Sequence, residues 1–174
     1  MRLYGFVPVF FLMLFLSCKG DGTSASDKQT SQGILGRANF ESYIEVSWNK
    51  KNMDTLQSLL VEDFICRHNG IRVVDDRSEM QAFMNVYFTG FPDARIETDT
   101  LVVNKGQLST HWTFNGTHTG TFRQLRPTGK KVRINGHAIV SFDSKGKIVR
   151  EDVYYNELEF LQQLGYTLNP PILK

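Results

Sequence analysis

Cysteine and histidine are scarce in this sequence. Its 174 residues include two cysteines, Cys18 and Cys66, and four histidines. So few thiols exclude a disulfide framework, and the spacing of these residues matches no zinc-ligand pattern. We therefore expect a fold that is held together by packing and that has no metal site.

An excess of charge of either sign is also missing. The 20 basic and 18 acidic residues leave a net charge of +2, and they are dispersed along the chain. A local basic cluster at residues 126–133 surrounds a turn, and no glycine-rich loop opens a helix there. A solvated hairpin end is therefore favoured over a phosphate site. This charge balance argues against a nucleic-acid partner.

The longest apolar run lies at the amino terminus. Arg2 precedes the apolar residues 6–16, and the small Ser17 and then Cys18 follow them. This layout is typical of a signal peptide, and the run is shorter than the roughly 20 apolar residues that a membrane-spanning helix needs. We expect residues 1–17 to be a cleaved signal peptide, with a retained transmembrane helix as the alternative.

The residues around Cys18 resemble the lipobox of bacterial lipoproteins, in which the cysteine thiol receives diacylglycerol and becomes the new amino terminus. Leu16-Ser17-Cys18 carry the resemblance, and Phe15 departs from the usual aliphatic residue. In the alternative, Cys18 is an ordinary residue near a conventional cleavage site. Lipidation of Cys18 implies a membrane partner and a location in the bacterial cell envelope, on the periplasmic or outer-membrane face.

Composition divides the rest of the chain. Residues 18–36 are rich in Gly, Ser, Thr, Asp and Lys. We expect them to form a flexible tether, because such a segment buries too little apolar area to offset its ordering entropy. Residues 37–168 have the composition of one globular domain, and residues 169–174 form a C-terminal tail.

Hydrophobic periodicity predicts four helices. Apolar residues have helical spacing at 40–48, 56–60, 80–87 and 157–164. Asp75 or Asp76 is suited to cap the third helix, which Gly90 and Pro92 end, and Gly165 is suited to cap the last one.

Four segments that are rich in β-branched and aromatic residues predict strands, with turn signals between them. They are Arg95–Asn104, Gln107–Asn115, Lys131–Phe142 and Lys147–Tyr155. Helices followed by a long antiparallel meander predict an α+β fold, in which a curved antiparallel sheet wraps against covering helices. We expect this cone to enclose a pocket.

A series of motifs then resembles one known family. The motifs are, in order, Phe91-Pro92-Asp93, Trp112-Thr113-Phe114, Gly116-Thr117-His118-Thr119-Gly120, Pro127-Thr128-Gly129-Lys130, Gly146-Lys147-Ile148 and Gln162-Gln163-Leu164-Gly165. Over residues 40–166 the chain resembles the SnoaL-like polyketide cyclases, or ester cyclases. The resemblance implies the nuclear-transport-factor-two-like α+β cone. It also implies an intramolecular aldol closure of a polyketide ester, which needs no metal or organic cofactor.

In that family a buried carboxylate on the last strand acts as acid and base. Ungapped counting back from residues 162–165 places Val153 at this position, and valine transfers no proton. A one-residue bulge would bring Asp152 there, and Glu151 shares the face of Val153 in a regular strand. Either carboxylate is therefore a catalytic candidate, and the alternative is an exposed acidic pair on the strand surface.

The resemblance also implies a histidine in the pocket, and the same counting gives His137 on the preceding strand. Regular alternation puts His137 on a polar face of that strand, and which face lines the cavity stays open. Four further residues are ligand-binding candidates, although each has a structural alternative: His68, Trp112, His118 and Tyr155.

Two functions remain. The domain is either a cofactor-independent acid/base cyclase, isomerase or hydrolase that uses Asp152 or Glu151 with His137, or a non-catalytic module that binds a hydrophobic ligand or forms a homodimer. The expected ligand is a small apolar or aromatic molecule. The resemblance implies carrier-bound cytosolic substrates, which an envelope protein would not meet, so an enzyme here would act on a diffusible ester or small ring compound.

Overall fold

A computed structural model describes residues 25–104 and 106–170 of the chain. Cys18 and the predicted signal peptide lie outside the described residues. A π-helical segment, Tyr43–Asn49, continues the first helix, and a short 3-10 helix, Met53–Thr55, precedes the second. The helices and strands are α1 (Ala25–Ser42), α2 (Leu56–Leu59), β1 (Leu60–His68), β2 (Ile71–Val74), α3 (Arg77–Gly90), β3 (Arg95–Asn104), β4 (Gln107–Thr117), β5 (Lys131–Phe142), β6 (Ile148–Tyr155) and α4 (Glu157–Leu164).

The strands form one six-stranded sheet in the order β2-β1-β6-β5-β4-β3. Neighbouring strands are antiparallel, except that β1 and β6 run parallel, with Cys66 opposite Glu151 and His68 opposite Val153. The sheet is curved and unclosed. The predicted α+β fold, with a curved sheet and covering helices, is confirmed.

Alternation along the strands gives the sheet two chemically different faces. On β5, Ile134, Ala138 and Val140 are buried against the helices. The residues at the odd-numbered positions of β5, including His137, lie on the opposite face, because successive side chains of a strand point to opposite sides. The inner face is therefore apolar and the outer face polar.

Helix α3 begins and ends where the sequence predicts. Asp76 is its N-cap, and its Oδ1 accepts a hydrogen bond from the backbone N–H of Glu79 at 2.8 Å. Met80 and Met84 on its buried face pack into the core. Helix α4 spans the predicted residues, and Gly165 ends it in the left-handed conformation at φ 108°.

The start of the sheet differs from the prediction. The helical spacing that we extended to Leu60 ends after one turn of α2, and Leu60 opens strand β1, where Leu60, Phe64 and Cys66 are buried. Asn69 and Gly70, both with positive φ, then form the two-residue turn that leads into β2. The Asn-Gly pair is a strong hairpin signal, so the turn was readable in the sequence.

Helix α1 starts at Ala25, inside the segment that we expected to be a flexible tether. Burial of Phe40 in the core and close approach to the sheet hold its last turns in place. A Cβ on Gly36 would lie 2.7 Å from the Phe142 ring, and the Asn39 side chain donates to the Gly146 carbonyl at 2.9 Å. Within the described residues, no helix is long and apolar enough to cross a membrane.

We predict that Asp76→Ala lowers the free energy of unfolding by about 1 kcal/mol, because the substitution leaves a donor at the start of α3 without its cap. Chemical denaturation measures this change. Ser78→Ala, at an exposed position in the same helix, is the matched control and should change stability by less than about 0.5 kcal/mol. Equal effects of the two substitutions would contradict the assignment of the cap.

Candidate functional site

A cavity of about 80 Å³ lies between the inner face of the sheet and the helices. Most of its lining is apolar and comes from every layer of the fold: Ile44 from the π-helical segment, Met80 and Phe83 from α3, Ala138 from β5 and Val153 from β6. Such a lining favours an apolar ligand and leaves few polar groups to fix its orientation.

Glu151 is the acidic residue among those that line the cavity in the described part of the chain. It lies on the inner face of β6, because it pairs with the buried Val140 just as Val153 pairs with the buried Ala138. The residue is 8% exposed. Burial raises the pKa of Glu151 from 4.5 to about 7, against a smaller opposing effect of a hydrogen bond from Tyr43.

Tyr43 supplies the hydrogen bond that orients this carboxyl group. Its hydroxyl donates to Glu151 Oε2 at 3.2 Å, and Trp48, which also lines the cavity, lies five residues further along the same segment. Burial, and then the Glu151 charge, raise the pKa of Tyr43, so its phenol stays protonated and remains a donor. Tyr43 is therefore a buried donor to the carboxyl group.

The π-helical segment brings both of these aromatic residues inward. Four of its seven residues are buried, and Asn49 at its end fixes the segment to β3. The Asn49 side chain donates to the Ile96 carbonyl at 2.9 Å and accepts from the Ile96 N–H at 2.8 Å. π-Helical turns are often found at functional sites, and here one supplies the partner of the buried carboxyl group.

The other end of the cavity is aromatic. The His68 ring packs edge-on against Phe83 at 5.3 Å and against Tyr155 at 5.5 Å between centroids. Burial, and then the charge of Arg123, lower the pKa of His68 to about 4, so this histidine is neutral at physiological pH. Trp112 lies beside Tyr155, with their ring centroids 6.0 Å apart. Three of the four predicted ligand-binding residues thus line the cavity.

Asp152 lies on the opposite face of the sheet from the cavity. Its carboxylate is 2.9 Å from the Arg150 guanidinium and 3.8 Å from that of Arg67. The bulge that would have turned Asp152 inward is absent at this position, because β5 and β6 pair in regular register from Gly136 to Ser141. Of the two carboxylates proposed from the sequence, only Glu151 is in the cavity.

His137 also lies outside the cavity, on the outer face of β5. Its Nε2 is 2.8 Å from Ser109 Oγ, and its ring centroid is 5.4 Å from that of His111. The expected pairing of His137 with Glu151 is therefore not formed, because the polar face of β5 is the outer one. A homodimer stays a prediction.

His118 is buried away from the cavity. Its Nδ1 accepts a hydrogen bond from the Thr128 backbone N–H at 3.3 Å and lies 3.0 Å from the Thr128 hydroxyl. Phe91 packs against its ring at 5.3 Å between centroids. The histidine of the Gly-Thr-His-Thr-Gly motif thus joins the end of β4 to the loop before β5, which is a structural role.

The sequence model for SnoaL-like polyketide cyclases matches residues 40–164 of this chain. The chain belongs to this family. No curated protein matches it significantly. The SnoaL-like match covers nearly all of the domain described above, and it confirms the family resemblance inferred from the motifs.

Solved structures share the fold of this SnoaL-like domain. A candidate SnoaL-like polyketide cyclase from Jannaschia sp. CCS1 has a TM-score of 0.70 at 16% identity, over 80% of this chain and 95% of that one. AclR, a candidate hydroxylase from Streptomyces galilaeus, has a TM-score of 0.67 at 21% identity, over 80% of this chain and 90% of that one. A SnoaL-like polyketide cyclase from Agrobacterium tumefaciens has a TM-score of 0.60 at 24% identity, over 75% of this chain and 98% of that one. Identities this low establish the fold alone.

Sequence reasoning missed the roles of Tyr43 and Trp48, which we interpreted only as apolar helix positions. Their spacing is compatible with an ordinary amphipathic helix, and the sequence holds no signal for a hydrogen bond to a strand 108 residues away. Within the described residues, no three His, Cys, Asp or Glu side chains are grouped so as to hold a metal ion.

We predict that Glu151→Gln removes a pH-dependent loss of stability. The folded protein holds this proton more tightly than the unfolded chain, since the pKa is about 7 in the fold and ordinarily 4.5. The stabilisation is fully present below pH 4.5 and is lost as the pH rises to about 7, by on the order of 3 kcal/mol. Urea denaturation on both sides of this pH range measures the loss.

Asp152→Asn is the matched control, one residue away on the outer face. It should keep most of the pH dependence, because Asp152 makes only a minor contribution to the pKa of Glu151. At a pH above 7 the Glu151→Gln variant should be more stable than the wild-type protein. A pH dependence that survives in Glu151→Gln would show that Glu151 is not the titrating group.

Proposed function

We propose that this SnoaL-like domain is a cofactor-independent acid/base enzyme in which Glu151 transfers the proton. The observation that carries the proposal is a carboxyl group in an apolar cavity with a pKa of about 7. A general acid/base works best when its pKa lies near the operating pH, because both protonation states are then populated. Glu151 lies two residues before Val153 on the same strand face, so a longer acidic side chain takes the place of the family acid.

The proposed reaction begins when ionised Glu151 removes a proton from a carbon next to a carbonyl group. The electron pair of the broken C–H bond moves onto the carbonyl oxygen and forms an enolate. The enolate carbon then attacks a second carbonyl carbon of the same molecule, which closes a ring through a new C–C bond. The resulting alkoxide takes the proton back from Glu151, so all atoms and charges balance. The Tyr43 hydroxyl holds Glu151 in one orientation throughout.

The size and lining of the cavity support a small apolar substrate. The cavity volume of about 80 Å³ is well below the roughly 300–1,000 Å³ of sites for drug-sized ligands. A diffusible ketone or ester fits this limit better than a long carrier-bound chain. A dicarbonyl compound of this size carries both the acidic C–H group and the carbonyl that is attacked.

We predict that the domain accelerates ring closure of the small diketone heptane-2,6-dione to 3-hydroxy-3-methylcyclohexanone. The rate should rise with pH through about 7, as Glu151 ionises to the base that removes the proton. Glu151→Gln should lower the rate by about 10²- to 10⁴-fold, which is the usual contribution of a positioned acid/base group. Gas chromatography of the product measures the rate.

Asp152→Asn, on the outer face, is the control variant and should keep the wild-type rate. Equal rates for the wild-type protein and Glu151→Gln would contradict the proposed role. The competing function is that of a non-catalytic binding module. It predicts that the wild-type protein and Glu151→Gln retain the same small molecules after purification, as detected by mass spectrometry, and that neither closes the ring.

We further propose that the domain is anchored to a membrane of the bacterial cell envelope through a lipid on Cys18. The support comes from the sequence, where Cys18 directly follows the small residue that ends the apolar run. An envelope location gives the enzyme access to diffusible compounds outside the cytosol. It also leaves Cys66, whose thiol pKa is raised by burial, as a lone unreactive thiol.

We predict that Cys18→Ala moves the full-length protein, produced in a bacterium, from the membrane fraction to the soluble fraction. The acyl chains supply the affinity for the bilayer, and the variant lacks the thiol that accepts them. Metabolic labelling with a radioactive fatty acid should mark the wild-type protein and not the variant. An unlabelled wild-type protein would contradict the anchor. Ser17→Ala keeps a small residue before Cys18 and is the matched control.

A further inference from the structure

The orientation of Trp112 in the cavity is fixed by a glycine on the neighbouring strand. Trp112 on β4 pairs with Gly136 on β5. A Cβ on Gly136 would lie 2.1 Å from Cζ2 and 2.4 Å from Cε2 of the indole, so the ring lies directly against the Gly136 backbone. Tyr155 packs against the indole on the same inner face. The strand pair therefore sets the direction of the Nε1–H group.

This Nε1–H group is buried and has no hydrogen-bond partner among the residues that the structure describes. A buried donor without a partner destabilises a fold, so it requires an explanation. The sequence holds one other tryptophan, Trp48, which also lines the cavity. Of these two tryptophans, only Trp112 has an indole N–H that is both buried and without a partner among the described residues.

We propose that the Trp112 Nε1–H donates a hydrogen bond to an oxygen of the bound ligand. The inference deepens the proposed function and rests on it, since it names a feature of the same substrate. That substrate carries a carbonyl oxygen, from a ketone or an ester, at the end of the cavity where Trp112, Tyr155 and His68 meet.

The position of Trp112 along the sheet assigns it a binding role that is separate from proton transfer. Across neighbouring strands, Trp112 forms one row of paired residues with Gly136 and Tyr155, whereas Glu151 forms another row with Val140. The two rows are four residues apart on β6, which is about 13 Å along a strand. One group therefore holds the far end of the ligand while the other reacts with its C–H group. A ligand with an acceptor at one end and an acidic C–H at the other matches both.

The test compares two probes of the same shape. Cyclohexanone offers a carbonyl oxygen, and methylenecyclohexane replaces that oxygen with a carbon that accepts no hydrogen bond. In the ¹⁵N-labelled protein each tryptophan gives one indole N–H signal, and Trp112→Phe identifies that of Trp112. We expect cyclohexanone to move the Trp112 signal downfield and methylenecyclohexane not to do so. The Trp48 signal should show no such downfield shift, because only the Trp112 indole N–H is buried without a partner.

The affinities provide a second measurement. The ketone should bind the wild-type protein about three- to tenfold more tightly than the alkene, and Trp112→Phe should abolish this preference while it keeps an aromatic ring in the cavity. Neither result depends on the titration of the Glu151 carboxyl group, so the affinities test the role of Trp112 separately from proton transfer.

Two results would overturn the inference, and they differ in what else they affect. If both probes perturb the His68 and Tyr155 signals while the Trp112 indole signal does not move with the ketone, the inference fails and the cavity remains a ligand site. If neither probe perturbs any cavity signal, the small-molecule site of the proposed function fails as well. Should Trp112→Phe not fold, the comparison of the two probes on the wild-type protein still decides between these outcomes.

Discussion

The hydrogen bond from the Tyr43 hydroxyl to Glu151 is the interaction on which the rest of this structure depends. It joins two buried groups that are 108 residues apart in the sequence, one on the π-helical segment and one on the last strand. A buried carboxyl group without a partner would be held in its neutral form, and the phenol donor counteracts this effect. The pKa of Glu151 therefore stays at about 7, within the range where the group both accepts and returns a proton. Contacts from Asn39 and Asn49 hold the helical segments against the sheet, and so preserve this bond.

The two ends of the cavity differ in chemistry, and a small substrate would contact both of them. Glu151 is the titrating group, and it is surrounded by Tyr43 and Cys66 in an otherwise apolar environment. At the other end, Trp112, Tyr155 and the neutral His68 offer aromatic surface and weakly polar groups. The family resemblance implies an acid at the position of Val153, whereas this chain keeps the fold and has its carboxyl group two residues away on the same strand face. Fold alone does not determine the reaction, so the proposed reaction rests on the residues of the site.

Much of the fold was predictable because local patterns and tertiary structure agree. Strands β4 and β5 alternate between buried and more exposed residues along most of their length, and α3 has both a cap and an apolar face. The first strand was missed because the helical spacing at Leu56–Leu59 runs directly into it. The start of α1 was missed because residues 25–36 show no apolar periodicity, and Gly36 contacts the sheet through its backbone. In the site, alternation correctly put Glu151 and Val153 on one face, but it could not say which face is internal. Which face is internal depends on packing against helices that are distant in the sequence. The observed packing leaves His137 and Asp152 outside the cavity.

The proposed reaction depends on Glu151 being a buried carboxyl group whose pKa lies near neutrality. The most direct measurement is a ¹³C NMR titration of the side-chain carboxyl carbons in glutamate-labelled protein, with Glu151→Gln identifying the signal. We predict a midpoint at about pH 7 for Glu151. A midpoint near 4.5, the ordinary value, would contradict the proposed reaction, because the carboxylate would then be a weaker base for removing the proton from carbon.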